Sequence, residues 1–197
     1  MRRNTPEELL KAHVKKSIEV KDNLGSCAYE IDKAAGALLS AIQAGNKVLV
    51  CGNGGSASNA DHFASDLLGT LSRHGKERPA IPAIALSNNS TVVTAIGNNR
   101  GFERVFSRQI EALGARGDVL VIFTTSGNSP NILAAVQAAR QKEMHVIGLT
   151  GATGGGLVPH CDACIRIPSN EQYLVQEAQV LVMHVIIEYL EGCICEE

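Results

Sequence analysis

The sequence predicts an α/β fold: a three-layer sandwich with a five-stranded parallel sheet flanked by helices, preceded by a pair of N-terminal helices. Short apolar segments alternate along the chain with amphipathic helical segments, which is typical of a parallel sheet covered on both faces. The 197 residues are 45% hydrophobic and 19% charged, as in globular domains. No linker or repeat interrupts the pattern, so we expect one domain over residues 1–197, with N-terminal helices in 1–45 and the parallel α/β core with a long C-terminal helix in 46–197.

Two helices are predicted in the N-terminal region. Thr5, Pro6 and Glu8 form a capping box with proline at the first helical position. Apolar residues then recur at a spacing of three to four positions. After a break at Gly25, a second amphipathic segment covers about residues 29–44.

The rest of the chain is predicted as strands joined by helices. The strands are short apolar runs at 47–51, 82–86, 119–124, 145–150 and 163–167. Helices are expected at about 58–71, over the segment that contains Phe102, Val105, Phe106, Ile110 and Leu113, after Asn131, and at about 170–191. The last helix is apolar nearly all round, so we expect it to be partly buried between subunits of a homo-oligomer.

Charge and targeting features exclude several classes of protein. The 18 basic and 20 acidic side chains give a net charge of −2, which does not favour binding to nucleic acid or to an anionic membrane. Uninterrupted aliphatic runs such as 119–123 are too short to span a bilayer, and the first residues lack the apolar core of a signal peptide. We therefore expect a cytoplasmic protein with no membrane or direct nucleic-acid partner.

The six cysteines are expected to be reduced in that compartment. Cys161 and Cys164 have the spacing of metal ligands, but a structural zinc site would need a second such pair. Reduced thiols are the favoured interpretation, and a metal role for this pair is the minor alternative. Cys193 and Cys195 are expected in a frayed C-terminal tail.

Three loops that follow predicted strands are rich in Gly, Ser, Thr and Asn, at 52–58, 87–91 and 124–131. Ligands bind at this edge of open parallel sheets. Two of the loops lead into a helix N-terminus, where free N–H groups and the helix dipole favour an anion. Hydroxyl groups that could donate to phosphate oxygens are those of Ser56, Thr124, Thr125, Ser126 and Ser129. The pattern predicts a phosphate site.

The phosphate ligand is predicted to be a small metabolite and not a nucleotide. The segment 52–57 matches a G-x-G-x-x-A dinucleotide fingerprint, but the next strand ends at 86–89 without the carboxylate that would hold a ribose. No Gly-Lys-Ser/Thr sequence follows the loop, which excludes a Walker A motif.

Five motifs resemble the sugar isomerase (SIS) domain family, and within it the bacterial phosphoheptose isomerases. They are Gly-Asn-Gly-Gly-Ser at 52–56, Ala-Ile-Gly-Asn at 95–98, Val-Phe-Ser-Arg-Gln at 105–109, Gly-Asp-Val-Leu at 117–120 and Thr-Ser-Gly-Asn-Ser at 125–129. The resemblance covers nearly the whole chain. It implies a flavodoxin-like sandwich and a homotetramer with shared active sites. It also implies conversion of sedoheptulose 7-phosphate to D-glycero-D-manno-heptose 7-phosphate for lipopolysaccharide synthesis.

The resemblance also implies roles for individual residues. Sugar-phosphate contacts would come from Asn53, Gly54, Gly55, Ser56, Asn98, Asn99 and Gln176, and the phosphate cradle from Thr124, Thr125, Ser126 and Ser129. One zinc ion per subunit would be bound by His62, Asp66, Gln176 and His184. Asp66 would act as the base and His184 as the acid of an enediolate mechanism.

The spacing of these residues supports part of that assignment. His62 and Asp66 are four residues apart on a predicted helix and so project from one face. Such a pair can bind a divalent metal, form an acid–base pair or remain a surface ion pair. Gln176 and His184 are about 12 Å apart along a helix and converge only if their side chains reach toward each other or come from different subunits.

Four positions depart from the phosphoheptose isomerase pattern: Asp66 replaces Glu, Asn99 replaces Asp, Tyr173-Leu174 replaces Asp-Arg, and Thr70 replaces Arg. They leave two alternatives open, a non-catalytic relative that associates with the replication initiator DnaA and a phosphosugar-binding regulator. The presence of His62, Asp66 and His184 favours the enzyme. Arg104, Arg108 and His74 are either surface charges or ligands that cross between subunits.

Overall fold

Five parallel strands form a single sheet in the computed structural model, which describes residues 5–71 and 78–195. The strands are β1 (Val48–Gly52), β2 (Ala83–Ala85), β3 (Val119–Phe123), β4 (His145–Thr150) and β5 (Ala163–Arg166), and their order is β2-β1-β3-β4-β5. The chain therefore reverses its direction of travel across the sheet between β1 and β3, which is where open α/β sheets bind ligands. The predicted fold class is confirmed.

Helices cover both faces of the sheet. They are α1 (Pro6–Asp22), α2 (Ala28–Gln43), α3 (Gly55–Leu68), α4 (Ser90–Arg100), α5 (Ser107–Leu113), α6 (Pro130–Gln141) and α7 (Gln172–Cys195). Alternate strand residues face opposite sides: Val48 and Val50 pack with α2, α3 and α7, whereas Leu49 and Cys51 pack with α5 and α6. Two apolar cores therefore hold the three layers together.

Helix α1 is attached to α7 mainly through polar contacts. The predicted capping box is present, since the Glu8 N–H donates to Thr5 Oγ1 over 3.2 Å and the Thr5 N–H donates to Glu8 Oε2 over 2.7 Å. Lys16 pairs with Glu171, and Lys21 pairs with Glu177. Val20 is the buried residue of α1, so most of its aliphatic side chains face outward.

Two helix boundaries differ from the sequence-based expectation. The segment predicted as one helix over Phe102–Leu113 consists instead of a 3₁₀ turn at Phe102–Arg104 and α5, and the preceding α4 was not predicted as a separate helix. Gly101 separates α4 from the turn at φ +89°, a conformation that glycine adopts without strain. Helix α3 begins at Gly55 and not at residue 58, so the first glycine loop is shorter than predicted.

Helix α7 is longer than predicted and continues to Cys195, so Cys193 and Cys195 are helical and the expected frayed tail is wrong. By its length and a mean hydropathy of 1.5, this helix could span a membrane. The short aliphatic runs in the sequence did not indicate this. In the fold, 44% of that apolar window is buried. Its buried Gln179 amide donates to the Thr124 and Leu149 carbonyls, both over 2.9 Å. Helix α7 is therefore a core helix that fixes the ends of β3 and β4.

Candidate active site

The first glycine loop joins β1 to α3 and leaves a helix N-terminus open. Gly54 has φ +56° and ψ −124°, a backbone conformation that is strained for any other residue, and no side chain caps α3. A Cβ on Gly52 would lie 2.4 Å from the Ser56 carbonyl oxygen and 2.9 Å from that of Phe123. The glycines therefore let the chain turn tightly against β3. The Ser56 and Ala57 N–H groups donate to the Asn53 and Gly54 carbonyls, which leaves the Gly55 N–H at the start of α3 for an anion.

A pair of asparagine amides connects this loop to the start of α6. Asn53 Nδ2 donates to Asn131 Oδ1 over 2.9 Å, and Asn131 Nδ2 donates to Asn53 Oδ1 over 2.8 Å. Asn131 is buried, and it is not among the site residues predicted from the sequence. The signal was its place in the first turn of the helix that follows the third polar loop.

The third loop, residues 124–129, is shaped by its own hydroxyl groups. Thr124 Oγ1 accepts from the Gly127 N–H over 3.2 Å, and Ser126 Oγ accepts from the Asn128 N–H over 3.3 Å. Because each oxygen acts as an acceptor here, its own O–H can donate to a bound anion. A Cβ on Gly127, which has φ +68°, would lie 1.9 Å from the Gly154 carbonyl oxygen, so the loop packs closely on the chain after β4.

Ser129 occupies the N-cap position of α6 without capping it through its side chain. Pro130 follows at the first helical position. The Ser129 hydroxyl and the Asn131 backbone N–H are therefore placed to donate to the same anion. Thr125 is held from the other side, since its carbonyl accepts from the Gly151 N–H over 3.1 Å.

Three titratable side chains meet where α3 crosses α7. Asp66 Oδ2 lies 3.3 Å from His62 Nε2 and 3.7 Å from His184 Nε2, and the two imidazole Nε2 atoms are 3.4 Å apart. His62 and His184 are partly exposed, whereas the Asp66 side chain is 15% exposed. Asp66 Oδ2 is a buried oxygen that has no hydrogen-bond partner among the described residues.

The spacing of these three atoms fits a tetrahedral divalent cation. Ligands bound to zinc at about 2.0–2.1 Å are separated by about 3.3 Å along a tetrahedral edge. The measured separations of 3.3, 3.4 and 3.7 Å are close to that value. An unpartnered carboxylate oxygen between two imidazole nitrogens is also the donor set that zinc prefers.

Gln176, the fourth predicted ligand, lies toward the glycine loop. Its amide group packs on Gly55, where an added Cβ would be 2.7 Å from Gln176 Nε2 and 2.8 Å from Oε1. Its backbone carbonyl accepts from Asn59 Nδ2 over 3.1 Å. Gln176 therefore stands between the α3 N-terminus and the histidine–aspartate cluster, within reach of a ligand that spans the two.

Other predicted residues lie away from this constellation. Asn98 and Asn99 are exposed on α4, and Asn98 Nδ2 donates to Asn99 Oδ1 over 3.0 Å. Within the described ranges, no hydrogen bond joins either to the other predicted site residues.

The remaining predicted residues have ordinary structural surroundings. Arg104 and Arg108 both pair with Glu111. Ser56 is buried in the first turn of α3, Thr70 is exposed after its end, and His74 lies outside the described residues.

The Tyr173-Leu174 substitution belongs to the contact between α1 and α7. The Tyr173 ring stacks on His13 with centroids 4.7 Å apart, and its hydroxyl donates to Glu171 over 2.6 Å. Leu174 is buried in the core.

One further polar atom was not predicted as part of the site. Ser87 Oγ, after β2, is buried and has no hydrogen-bond partner among the described residues. Its place at the start of the second polar loop was the signal.

The family model for the SIS domain matches residues 14–151. The chain belongs to the SIS domain family. A phosphoheptose isomerase from Rhodospirillum rubrum is 44% identical over 96% of this chain and 99% of its own length. Among solved structures, phosphoheptose isomerases from Francisella tularensis and Neisseria gonorrhoeae are each 37% identical, with TM-scores of 0.88 and 0.89. They cover 96% and 95% of this SIS chain, and in each case 100% of their own.

Proposed function

We propose that this SIS protein is a phosphoheptose isomerase that converts sedoheptulose 7-phosphate to D-glycero-D-manno-heptose 7-phosphate. The observation that carries the proposal is the path of α7. This helix contacts the phosphate loop through Gln179, whose amide donates to the Thr124 carbonyl, and it contributes His184 to the cluster with His62 and Asp66. Five residues along a helix correspond to about 7.5 Å, a distance that an extended sugar phosphate can bridge.

The phosphate group is assigned to the two open helix N-termini. The Ser126 and Ser129 hydroxyls and the backbone N–H groups of Gly55 and Asn131 would donate to its oxygens. This places the reacting end of the sugar toward Gln176 and the α3–α7 crossing. When the phosphate is bound at one end of the site, the carbonyl carbon and its neighbour are held near the catalytic groups. This positioning lowers the entropic cost of reaching the transition state.

Proton transfer is assigned to the cluster. Isomerisation requires a base that removes the proton from the carbon beside the carbonyl and an acid that protonates the oxygen. Asp66 is assigned as the base, since it is the carboxylate of the cluster and its Oδ2 atom lies beside both imidazoles. His184 exchanges a proton with the substrate oxygens, and the adjacent His62 and Asp66 hold its ring in place.

We also propose that zinc is the resident metal, held by His62, Asp66 and His184 with Gln176 as the further ligand. When bound, it would stabilise negative charge that develops on the substrate oxygen. The support is the 3.3–3.7 Å spacing of the three donor atoms and the buried Asp66 oxygen without a hydrogen-bond partner among the described residues. The absence of a nucleotide cofactor stays a prediction.

We propose a homotetramer because aliphatic side chains are exposed on α1 and α7. The aliphatic residues Leu10 and Ile18 on α1 are 63% and 53% exposed, and Val185 on α7 is 48% exposed. Asn98 and Asn99 are placed on an exposed helix, from which they could reach the site of another subunit. A cytoplasmic location is proposed from the sequence.

The test of the isomerase is turnover of sedoheptulose 7-phosphate, followed by NMR with the purified protein. We expect Asp66→Asn and His184→Ala to lower kcat by about 10²–10⁴-fold, because each removes a proton-transfer group. Asp61→Asn, an exposed carboxylate on the same helix, is the matched control and should retain activity. An inactive wild-type protein that still binds the sugar phosphate would support a regulator, and full activity in Asp66→Asn would contradict the assigned base.

Zinc is tested by metal content as well as by activity. We expect one zinc ion per chain after equilibration, measured by elemental analysis, and a loss of 10- to 100-fold or more in zinc affinity in His62→Ala. His145→Ala is the matched control, since His145 lies at the start of β4, outside the cluster, and its Nδ1 atom is 3.9 Å from Asp162 Oδ2. Equal zinc affinity in both variants would contradict the proposed site.

A further inference from the structure

The sulfur atoms of Cys161 and Cys164 converge over the same backbone position of the neighbouring strand. Gly148 of β4 is paired with Cys164 of β5. A Cβ added to Gly148 would lie 2.9 Å from Cys161 Sγ and 3.6 Å from Cys164 Sγ. The missing side chain of Gly148 therefore provides the space in which the two thiols meet, on the face of the sheet opposite to α7.

Asp162, the first of the two residues between the cysteines, is held firmly. The Asp162 carboxylate accepts from Arg140 Nη1 over 2.9 Å, from Arg140 Nη2 over 3.0 Å and from the Val146 N–H over 2.7 Å. This bidentate ion pair fixes the turn that brings Cys161 back toward Cys164. The thiols are thus prearranged near each other before any bond forms between them.

The two thiols differ in acidity. A hydrogen bond from the Cys161 thiol lowers the pKa of Cys164 to about 7, and the same hydrogen bond, with burial, raises the pKa of Cys161. The other groups that act on the Cys164 thiol are Thr150, Arg166 and Glu30, of which Glu30 opposes ionisation. Cys164 is therefore the thiol of the pair that ionises first and attacks. Once Cys164 has reacted, the hydrogen bond that most raises the pKa of Cys161 is lost, so Cys161 can ionise and resolve a mixed disulfide.

We propose that Cys161 and Cys164 form a thiol–disulfide exchange site that reacts with a low-molecular-weight disulfide. The Cys164 thiolate attacks one sulfur of the reagent and expels one thiolate, which leaves a mixed disulfide on Cys164. Cys161 then loses its proton to solvent and attacks the Cys164 sulfur, which forms the internal disulfide and expels the second thiolate. Two protein thiols are oxidised and one small disulfide is reduced to two thiols.

The two buried thiols of the core differ from this pair, and Cys193 and Cys195 at the end of α7 are the other partly exposed ones. Cys51 is fully buried in the core, and burial raises its pKa. Cys27 is also buried, and its thiol donates to the Arg166 carbonyl over 3.0 Å. Cys161 and Cys164 are each partly exposed, so a small reagent can reach them. Exchange with a reagent should therefore be selective for this pair over the core cysteines.

The experiment uses the full chain with oxidised glutathione, followed by acid quenching, alkylation and mass spectrometry. We expect a loss of two hydrogen atoms per chain, mapped to the peptide that contains Cys161 and Cys164. The Cys161→Ser variant should accumulate one glutathione group on Cys164, because no thiol resolves it. The Cys164→Ser variant should react at least about tenfold more slowly at neutral pH, since burial still raises the pKa of the remaining Cys161 thiol.

A second measurement needs no substitution. The rate of alkylation of Cys164 by iodoacetamide in the wild-type protein should rise with pH through a midpoint near 7. Glutathione attached mainly to Cys193 or Cys195, or an alkylation midpoint for Cys164 at the usual value for a free thiol, would overturn the proposal. Neither readout depends on isomerase activity, so failure here is distinguishable from failure of the proposed function.

Discussion

Asp66 sets the chemistry of the site at the scale of a single residue. Its Oδ2 atom is buried beside two imidazole nitrogens at 3.3 and 3.7 Å, without a hydrogen bond to the described residues. An ionised carboxylate oxygen in such a position is stabilised only if a cation or a protonated imidazole shares the space. The phosphoheptose isomerase pattern has Glu at this position. The shorter Asp66 side chain still reaches both histidines, because their Nε2 atoms lie 3.3 and 3.7 Å from its Oδ2 atom.

Lengthening this side chain should damage the reaction and leave binding intact. In Asp66→Glu the carboxylate would extend into the imidazoles that already lie within 3.7 Å, so His62 and His184 would have to move. We expect kcat to fall by about 10- to 100-fold, because displacement of a catalytic group by about 1 Å has a cost of this size. KM should change little, since the phosphate loops are untouched. Steady-state kinetics check this, and a kcat at or above the wild-type value would contradict it.

Asn131 positions the first glycine loop through its paired amide. In Asn131→Leu the Asn53 amide would lose both hydrogen bonds, which leaves polar atoms unsatisfied at a cost of about 1–3 kcal/mol. We expect KM for the sugar phosphate to rise by about tenfold with a smaller change in kcat. The matched control is Asn23→Leu, at the exposed end of α1. A lower kcat at unchanged KM would instead place Asn53 in the chemical step.

At the scale of elements, the α3–α7 crossing is held by a buried ion pair. Arg78 Nε donates to Glu191 Oε1 over 3.0 Å, and its Nη1 and Nη2 atoms donate to the Leu67 and Asp66 carbonyls over 2.9 and 2.6 Å. The two side chains are 0% and 3% exposed. Arg78 therefore ties the end of α7 to the backbone of the residue that carries the proposed base.

Removing the charge of Glu191 should destabilise the fold. In Glu191→Gln the buried Arg78 guanidinium would lose its carboxylate, a change that costs about 3–5 kcal/mol in buried pairs. The measurement is urea unfolding followed by circular dichroism. Lys11→Gln removes a pair that is 75% exposed on each side and serves as the control, with an expected change below about 1 kcal/mol. Equal effects of the two substitutions would contradict the structural role of the buried pair.

Much of this arrangement could be predicted from the sequence because local rules determine it. Continuous apolar runs placed all five strands, and the glycine–serine loops were correctly placed at the carboxyl ends of β1 and β3. The break at Gly101 could not be placed, since Val93 and Ile96 before it and Phe102 and Val105 after it all recur at three-residue spacing. The Asn53–Asn131 pair is non-local, and the convergence of His184 on Asp66 depends on how α7 crosses α3. The sequence supplied that convergence only through a family resemblance.

At the scale of the whole molecule, two surface patches expose more apolar side chains than an isolated subunit requires. Leu9, Leu10, Val14 and Ile18 are between 44% and 63% exposed along α1. A second apolar groove, lined in part by Leu24, Ile31, Val185 and Tyr189, lies between α2 and α7. Exposed apolar patches of this kind in a globular protein mark association surfaces. Two distinct patches on one chain would allow two different contacts, which is what a closed tetramer with two-fold symmetry needs.

A charge placed in the second groove should therefore break one of the two contacts. In Val185→Glu a carboxylate would be buried against Ile31 and Tyr189 of the groove, where no described basic side chain lines the surface to pair with it. If the proposed tetramer forms, we expect this variant to dissociate to dimers or monomers, measured by light scattering and native mass spectrometry. Arg116→Glu places the same carboxylate at a position that is 83% exposed and should leave the mass unchanged. If sites are shared between subunits, isomerase activity should fall with the tetramer fraction. A Val185→Glu protein that keeps the wild-type mass would show that the α2–α7 groove is not a subunit contact.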